Sequence, residues 1–441
     1  MSESCNSRHF SWLMKSCFPN PHDTKSFAHS QTHTQPQPHI LGDQCAATTT
    51  TTTVSSLPDD LLLECLSRVP SSSLPSVSAV CPRWARLIDS SHFLGLRRCH
   101  RLLHHFVFAV SATDSGLYAA SLRLQSDVLW KVAFFLPDDA VSLGNFHGLL
   151  SHARLAAVGP KIFIIGRNAM VRYDTWSGTV VPRSAMIFPR KKFAAAVVSG
   201  KIYAAGGGPR TNAVEEYDPD SDTWRVVANA PRRRYGCIGA SVEGVFYVIG
   251  GLKIGASGSE PSRTAANALA HAYASSMDLY DVEARGWLRS RAVPGGGCVV
   301  AACAVAGHVY VLASHAVELS FWRFDARRKS IGNSNINAIG TNSSCGSNSG
   351  FGEWCRLKSP PLPAQVRIDS TVRFSCVGVG EKVVLVQVIG CIDDLLRRSG
   401  RSSRGLREGL VLVYDSPGGE WSRAADLPEV IRRAACVSVE C

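Results

Sequence analysis

The sequence predicts an all-β propeller of six blades preceded by a small all-α module. Three observations carry this: a strand pattern occurring three times with Tyr seven residues ahead of Trp, apolar residues at helical spacing over residues 57–88, and a strand near residue 440 that matches a gap in the first blade. The 441 residues have room for a large domain besides the small one, and a hydrophobic content of 45% supplies a core.

Residues 1–53 are rich in His, Gln, Pro, Ser and Thr and include a threonine run from Thr48 to Thr53. Apolar residues are too sparse there to offset the entropy of ordering the chain, so disorder is expected. His29 and His33 have the i, i+4 spacing of a metal pair, but no helix-forming pattern surrounds them, and a linker is the better expectation. No run of 18 uncharged apolar residues occurs, which argues against a membrane-spanning helix. No basic region leads into an apolar stretch at the N-terminus, and the 15 cysteines are odd in number and scattered, so a reducing compartment, cytoplasm or nucleus, is expected.

The first ordered element begins at Leu57 and Pro58, where a proline costs nothing because its missing N–H would be unbonded, and Asp59 and Asp60 follow at the positive end of the helix dipole. Leu62, Cys65, Leu66 and Val69 recur at i, i+3, i+4 and i+7, giving an apolar stripe that stops at Pro70. A second stripe of Val77, Val80, Cys81, Trp84, Leu87 and Ile88 follows, with Pro82 tolerable only in a first turn. Helices this short cannot bury all their apolar faces against one another, so a face must meet a partner or the next domain. The alternative is a helical cap packed on its own chain.

The order Leu-Pro, Leu-Leu, Leu-Ser-Arg-Val-Pro, Val-Cys, Trp and then Phe93 resembles the F-box, which the sequence places at 54–98. The resemblance implies that Leu57, Pro58, Leu62, Leu66, Val69, Pro70, Val80 and Trp84 grip a Skp-family adaptor and, through it, a cullin. Cys99, His100, His104 and His105 follow in a 99–105 linker. A structural zinc site needs four ligands in register and no second half of a set is nearby, so a plain interdomain segment is expected.

From residue 106 the pattern changes to short β-rich runs punctuated by Gly. GKIYAAGGG at 200–208 is followed by VEEYDPDSDTW, GVFYVIGG at 244–251 by MDLYDVEARGW, and KVVLVQVIG near 390 by LVLVYDSPGGEW. Tyr217 and Trp224, Tyr280 and Trp287, and Tyr414 and Trp421 keep one spacing. This resembles the kelch repeat, so the full expectation is a six-bladed kelch β-propeller preceded by an F-box domain. Gly-Gly permits positive φ at a tight strand exit, and each Tyr or Trp buries on the order of 150 to 250 Å² between blades. Strands made of Ala, Gly, Cys and Val, such as 193–199, 237–242 and 298–305, suit the crowded centre of the ring.

Degenerate copies complete the count. KIFIIG with VRYD gives one blade, in which Trp176 falls too soon after Tyr173 to be the repeat's Trp, and 308–313, 321–325 and 353–357 give another. Runs 106–110, 116–124 and 129–135 supply three strands of a blade with no inner one, and 434–440 is an inner-type strand with no blade. Joined, they close a ring of six over 106–441 with no open sheet edge. Insertions are placed at 252–276, 330–352 and 392–409.

Second-to-third and outer-to-inner connectors emerge at one end of such a meander. Arg190, Lys191 and Lys192, Arg232, Arg233 and Arg234, Arg432 and Arg433, and Arg397 and Arg398 fall there, and the chain carries a net charge of +12. A basic rim that attracts an acidic patch on a target protein is one expectation, and solvated loops are the other. No phosphate-binding Gly loop or nucleophile elbow is apparent, and the His residues of the propeller region are too dispersed for a triad or a metal site, so no catalysis, metal or cofactor is expected. The resemblance implies the non-catalytic substrate receptor of an SCF-type ubiquitin ligase, with phenylpropanoid or flavonoid enzymes as clients of some plant members. A ligase-independent kelch scaffold and, less favoured, a nucleic-acid binder with steep salt dependence are the alternatives.

Overall fold

In a computed structural model of the chain, the described residues are 56–113, 116–124, 126–135, 153–208, 210–253, 273–315, 318–327, 352–362, 372–389, 409–431 and 434–441. The expectations for the tail, for His29 and His33, and for most of the three insertions lie outside them.

Four helices open the described chain: α1 (Asp59–Ser67), α2 (Leu74–Ser78), α3 (Pro82–Ile88) and α4 (Ser91–Cys99). Pro58 caps α1, and Asp59 and Asp60 occupy its first turn. The second apolar stripe is two helices rather than one, because Pro82 starts α3 and leaves Val80 and Cys81 between the two. Ser90 Oγ accepts the Phe93 N–H at 3.1 Å and caps α4. Arg83 Nη2 donates to Asp59 Oδ1 and to the Leu57 carbonyl, each at 2.6 Å, tying α3 to the start of α1.

The remainder is a ring of six four-stranded antiparallel sheets. From inner to outer strand, blade 2 is Arg154–Val158, Lys161–Ile165, Met170–Asp174 and Val180–Arg183; blade 3 is Ala194–Val198, Lys201–Ala205, Ala213–Asp218 and Thr223–Asn229. Blade 4 is Ile238–Val242, Val245–Ile249, Ser276–Asp281 and Gly286–Ala292; blade 5 is Cys298–Val305, His308–His315, Glu318–Asp325 and Trp354–Leu357; blade 6 is Arg373–Val379, Lys382–Ile389, Val411–Asp415 and Glu420–Arg423. Blade 1 takes its inner strand, Ala435–Glu440, from the far end of the sequence and continues with His105–Thr113, Gly116–Leu122 and Lys131–Phe135. Phe108 pairs with Val437 in that seam, so the ring closes by strand pairing.

The repeated aromatics are cross-strand partners. Tyr217 faces Trp224, Tyr280 faces Trp287 and Tyr414 faces Trp421, with ring centroids 5.1 to 5.2 Å apart. Each indole N–H reaches back to a carbonyl where the preceding blade's outer strand ends: Trp224 to Ser184 (2.9 Å), Trp287 to Asn229 (2.8 Å) and Trp421 to Lys358 (2.8 Å). Trp130 does the same from blade 1 to Ala425 of blade 6 at 2.9 Å, so it is the repeat's Trp in a blade without the Tyr spacing. In blade 5 the pair is Phe324 and Trp354, 5.0 Å apart.

Small residues do line the centre. A Cβ on Gly239 would meet the Ala195 carbonyl oxygen at 2.2 Å, and one on Gly378 would meet that of Ala304 at 2.1 Å, so neighbouring inner strands approach only because these positions lack side chains.

The helices are not a separate body. Leu63, Leu66, Leu74, Ile88 and Phe93 share one core with Phe108, Ile162, Ile164, Tyr173, Trp176, Val439 and Cys441 of blades 1 and 2. Phe93 meets Trp176 edge to face at 5.2 Å. Buried Arg97 lies 5.8 Å over both rings and donates to the Ser67 and Val69 carbonyls and to Ser71 Oγ, which fastens the end of α1 to α4. Segment 99–105 is short and held, since His104 and Cys441 exchange backbone hydrogen bonds at 2.9 and 3.0 Å.

Candidate functional site

Two surfaces result from this arrangement, at opposite ends of the propeller. The helices contact blade 2 at its inner-to-second turn, where Asp89 pairs with Lys161 at 2.5 Å, and at its third-to-outer turn, which holds Trp176. The channel mouth, where inner strands begin, is the other end.

At the helical end the residues of the predicted grip separate into two groups. Leu62 and Leu66 are 1% and 5% exposed, so these two leucines lie on the inward face and offer no side-chain surface to a partner as folded, whereas Cys65 of the same predicted stripe is exposed. Val69 and Trp84 are half-buried against the shared core. Pro58, Pro70 and Val80 are exposed, the last at 60%, and half-buried Leu57 is held by Arg83. The sequence reading missed Leu61, exposed at 53%; with Pro58 and exposed Cys65 it follows at i, i+3, i+7, an outward stripe hidden in the run Leu61-Leu62-Leu63.

The predicted basic rim is corrected at two positions. Arg190 and Arg234 are buried and neutralised inside their own blades. Arg190 donates to Glu215 and to the Gly206 and Ala213 carbonyls; Arg234 donates to Asp278, to the Gly250 and Tyr273 carbonyls and to Ser276. Both lock the Gly-Gly exit of the second strand, where Gly206, Gly207, Gly250 and Gly251 all have positive φ. An uncompensated charge there is costly, which is why each guanidinium has a carboxylate beside it. Arg232 is half-buried, over the Tyr273 ring at 5.5 Å and 3.7 Å from Asp278 Oδ1. Lys191 and Arg233 are exposed and Lys192 is half-buried, while Arg397, Arg398, Arg432 and Arg433 lie outside the described residues.

The channel is a cavity of about 900 Å³ whose wall is mostly Ala, Val, Gly and Ser. Its mouth carries Arg154, Lys192 and Arg373, and no Asp or Glu lies among the described lining residues. Arg154 Nε donates to the Phe193 carbonyl at 2.7 Å and Nη2 to that of Cys237 at 3.2 Å, so the guanidinium lies across the start of blades 3 and 4. Burial and then Arg373 hold its pKa below the usual arginine value. Burial, followed by Arg373 and Arg154, lowers the Lys192 ammonium in the same way. Arg154 and Arg373 were not foreseen. Their signal is positional, since both begin an inner strand in the place Lys192 holds just ahead of blade 3.

Among the described residues no three His, Cys, Asp or Glu side chains converge as metal ligands, and no helix is long and apolar enough to cross a membrane.

The F-box domain family matches residues 54–95 and the Kelch motif family residues 189–231. An F-box/kelch-repeat protein of Arabidopsis thaliana, At5g26960, is 63% identical over 444 residues and covers 100% of both chains. Two further Arabidopsis thaliana proteins, F-box/kelch-repeat protein At1g67480 and F-box protein AFR, are 27% and 32% identical over 45% and 46% of this chain and 54% and 53% of their own.

Proposed function

The chain belongs to the F-box/kelch-repeat family, and from that premise we propose that it is the non-catalytic substrate receptor of an SCF-type ubiquitin ligase. One observation supports this most: the helices bury their inner stripe in the propeller yet present Pro58, Leu61 and Val80 outward, at the end of the ring away from the channel mouth. A Skp-family adaptor takes the exposed apolar stripe, and through it the cullin. The mouth face holds the target, and transfer of ubiquitin follows from proximity within the assembly.

Capture of a Skp-family adaptor by the full chain tests this. Leu57→Ala with Pro58→Ala, and separately Val80→Asp, abolish capture without lowering the melting temperature; equal recovery with all variants would refute the assignment. On family grounds alone the client is a phenylpropanoid or flavonoid biosynthetic enzyme, met in cytoplasm or nucleus. Proximity labelling with the proteasome inhibited checks that, and a set of labelled proteins lacking such enzymes rejects the client class.

A further inference from the structure

The inner strands of blades 5 and 6 belong to separate sheets, yet they run close enough that side chains of one would reach the backbone of the other. A Cβ on Gly378 would meet not only the Ala304 carbonyl but Val305 Cγ2 at 2.6 Å. Side chains two apart on a strand share a face, so Cys376 points toward blade 5 beside Gly378, and Cys303 toward blade 6 beside Val305. Their sulfurs meet across the gap. Cys376 Sγ donates to Cys303 Sγ at 3.2 Å, and both are free thiols.

Other cysteines of the ring behave as structural residues. Cys237 donates to the Ala205 carbonyl at 3.7 Å, and burial pushes the Cys436 and Cys441 thiols up to about 12 and about 11, which makes them poor nucleophiles. Cys303 differs in the cause. The bond from Cys376 comes first and burial second in holding its thiol well above the usual value, so Cys303 keeps its proton. Cys376 is half-buried where Cys303 is buried, and both line the channel, so a small solute in the cavity reaches Cys376 first. A disulfide needs sulfurs about 2 Å apart on closely spaced backbones. Closing this pair takes a movement of about 1 Å between strands that already touch.

We propose that Cys303 and Cys376 are a reversible redox pair, oxidised by hydrogen peroxide within the channel to a disulfide that staples blade 5 to blade 6. Water takes the Cys376 proton, the thiolate sulfur attacks one peroxide oxygen, the O–O bond breaks and hydroxide leaves, giving the sulfenic acid. The Cys303 sulfur then attacks the Cys376 sulfur, the S–O bond breaks, and the thiol proton departs with the hydroxyl as water. Two thiols and one peroxide become one disulfide and two waters, each sulfur giving up one electron to peroxide oxygen. In a reducing compartment the bond is transient, made while peroxide is present and undone by the thiol pool. Its effect is mechanical. The link joins positions 73 apart and ties two sheets that meet through side-chain packing, so the ring opens less readily at that boundary.

The reduced full-length chain, treated with a slight molar excess of hydrogen peroxide and digested with trypsin without reduction, is read by mass spectrometry. Peptides 292–323 and 374–382 are expected as a cross-linked pair. The first also holds exposed Cys298, so Cys298→Ser leaves the link in place, whereas Cys303→Ser and Cys376→Ser abolish it. Peroxide raises the melting temperature of the unsubstituted chain by about 5 °C and dithiothreitol returns it, while Cys376→Ser, at the half-buried position, shows no rise. Absence of the linked peptides from the folded, unsubstituted chain, their loss in Cys298→Ser, or an equal rise in melting temperature with Cys376→Ser overturns the proposal. Sulfinic acid on Cys376 in place of the link overturns it as well, because it shows a reactive thiol that Cys303 does not reach.

Discussion

Blades 3 and 4 differ instructively from blade 2. The first two keep the whole repeat: a buried Arg locking a Gly-Gly exit, and a Tyr–Trp pair whose indole bonds the previous blade. Blade 2 has none of that set. Its outer strand offers Val180 opposite Tyr173, and its tryptophan has moved into the third-to-outer turn, where Asp174 Oδ1 accepts the Trp176 and Ser177 N–H groups and presents the ring to Phe93. The indole N–H of Trp176 finds no acceptor among the described residues. In blade 2, loss of the repeat signature goes together with service to a neighbour. A Cβ on Gly159, in the adjoining turn, would already press on Leu94 Cδ2 at 3.1 Å, so the fit to α4 is close.

Substitutions can break or sharpen this contrast. The largest effect is expected at the self-contained blades: Arg190→Ala strands Glu215 in the interior and costs about 3–5 kcal/mol in urea unfolding, whereas Arg190→Met with Glu215→Leu restores most of it. Trp176→Ala costs about 3 kcal/mol but acts locally. Limited proteolysis then cuts within 99–105 while the ring stays resistant; global unfolding instead would erase the distinction between the blades. Trp130→Phe removes the hydrogen bond to Ala425 across the blade 1–6 seam together with part of the buried indole, an effect of about 2 kcal/mol by chemical denaturation.

The smallest effect concerns blade 5, where hydrogen bonding from Arg327 holds Asp325 down to about pKa 2. The folded value lies below that of the unfolded chain, so this contribution is complete above about pH 4 and disappears as pH falls toward 2. Asp325→Asn flattens the acid limb of a stability-versus-pH curve, and an unchanged limb would show that the pair contributes nothing.

Much of this was legible in the residues. Constant Tyr–Trp spacing exposed three blades because both residues sit on adjoining strands joined by a short turn. The orphan inner strand at 434–440 was legible because its small-residue composition differs from that of an outer strand. Phe324 and Trp354 escaped, since an insertion puts 29 residues between partners that the sheet places side by side. The split between Arg190, buried, and Lys191, exposed, escaped as well. A buried guanidinium is recognised by its carboxylate, and Glu215 and Asp278 lie 25 and 44 residues further along. Leu62 and Leu61 were exchanged for a related reason: periodicity finds an apolar face of a helix but does not say which of two faces the rest of the chain will cover.

The seam between Phe106 and Val439 has a kinetic price. Its two strands are more than 300 positions apart, so on a ribosome the blade made first waits for its innermost strand until nearly all the others exist, with an unpaired edge available to any passing strand. Val439 and Cys441 also complete the core beneath Phe93 and Trp176. Sealing the ring and seating the helices are thus one late event, and a chaperone that shields the early blade would govern the yield of the whole protein.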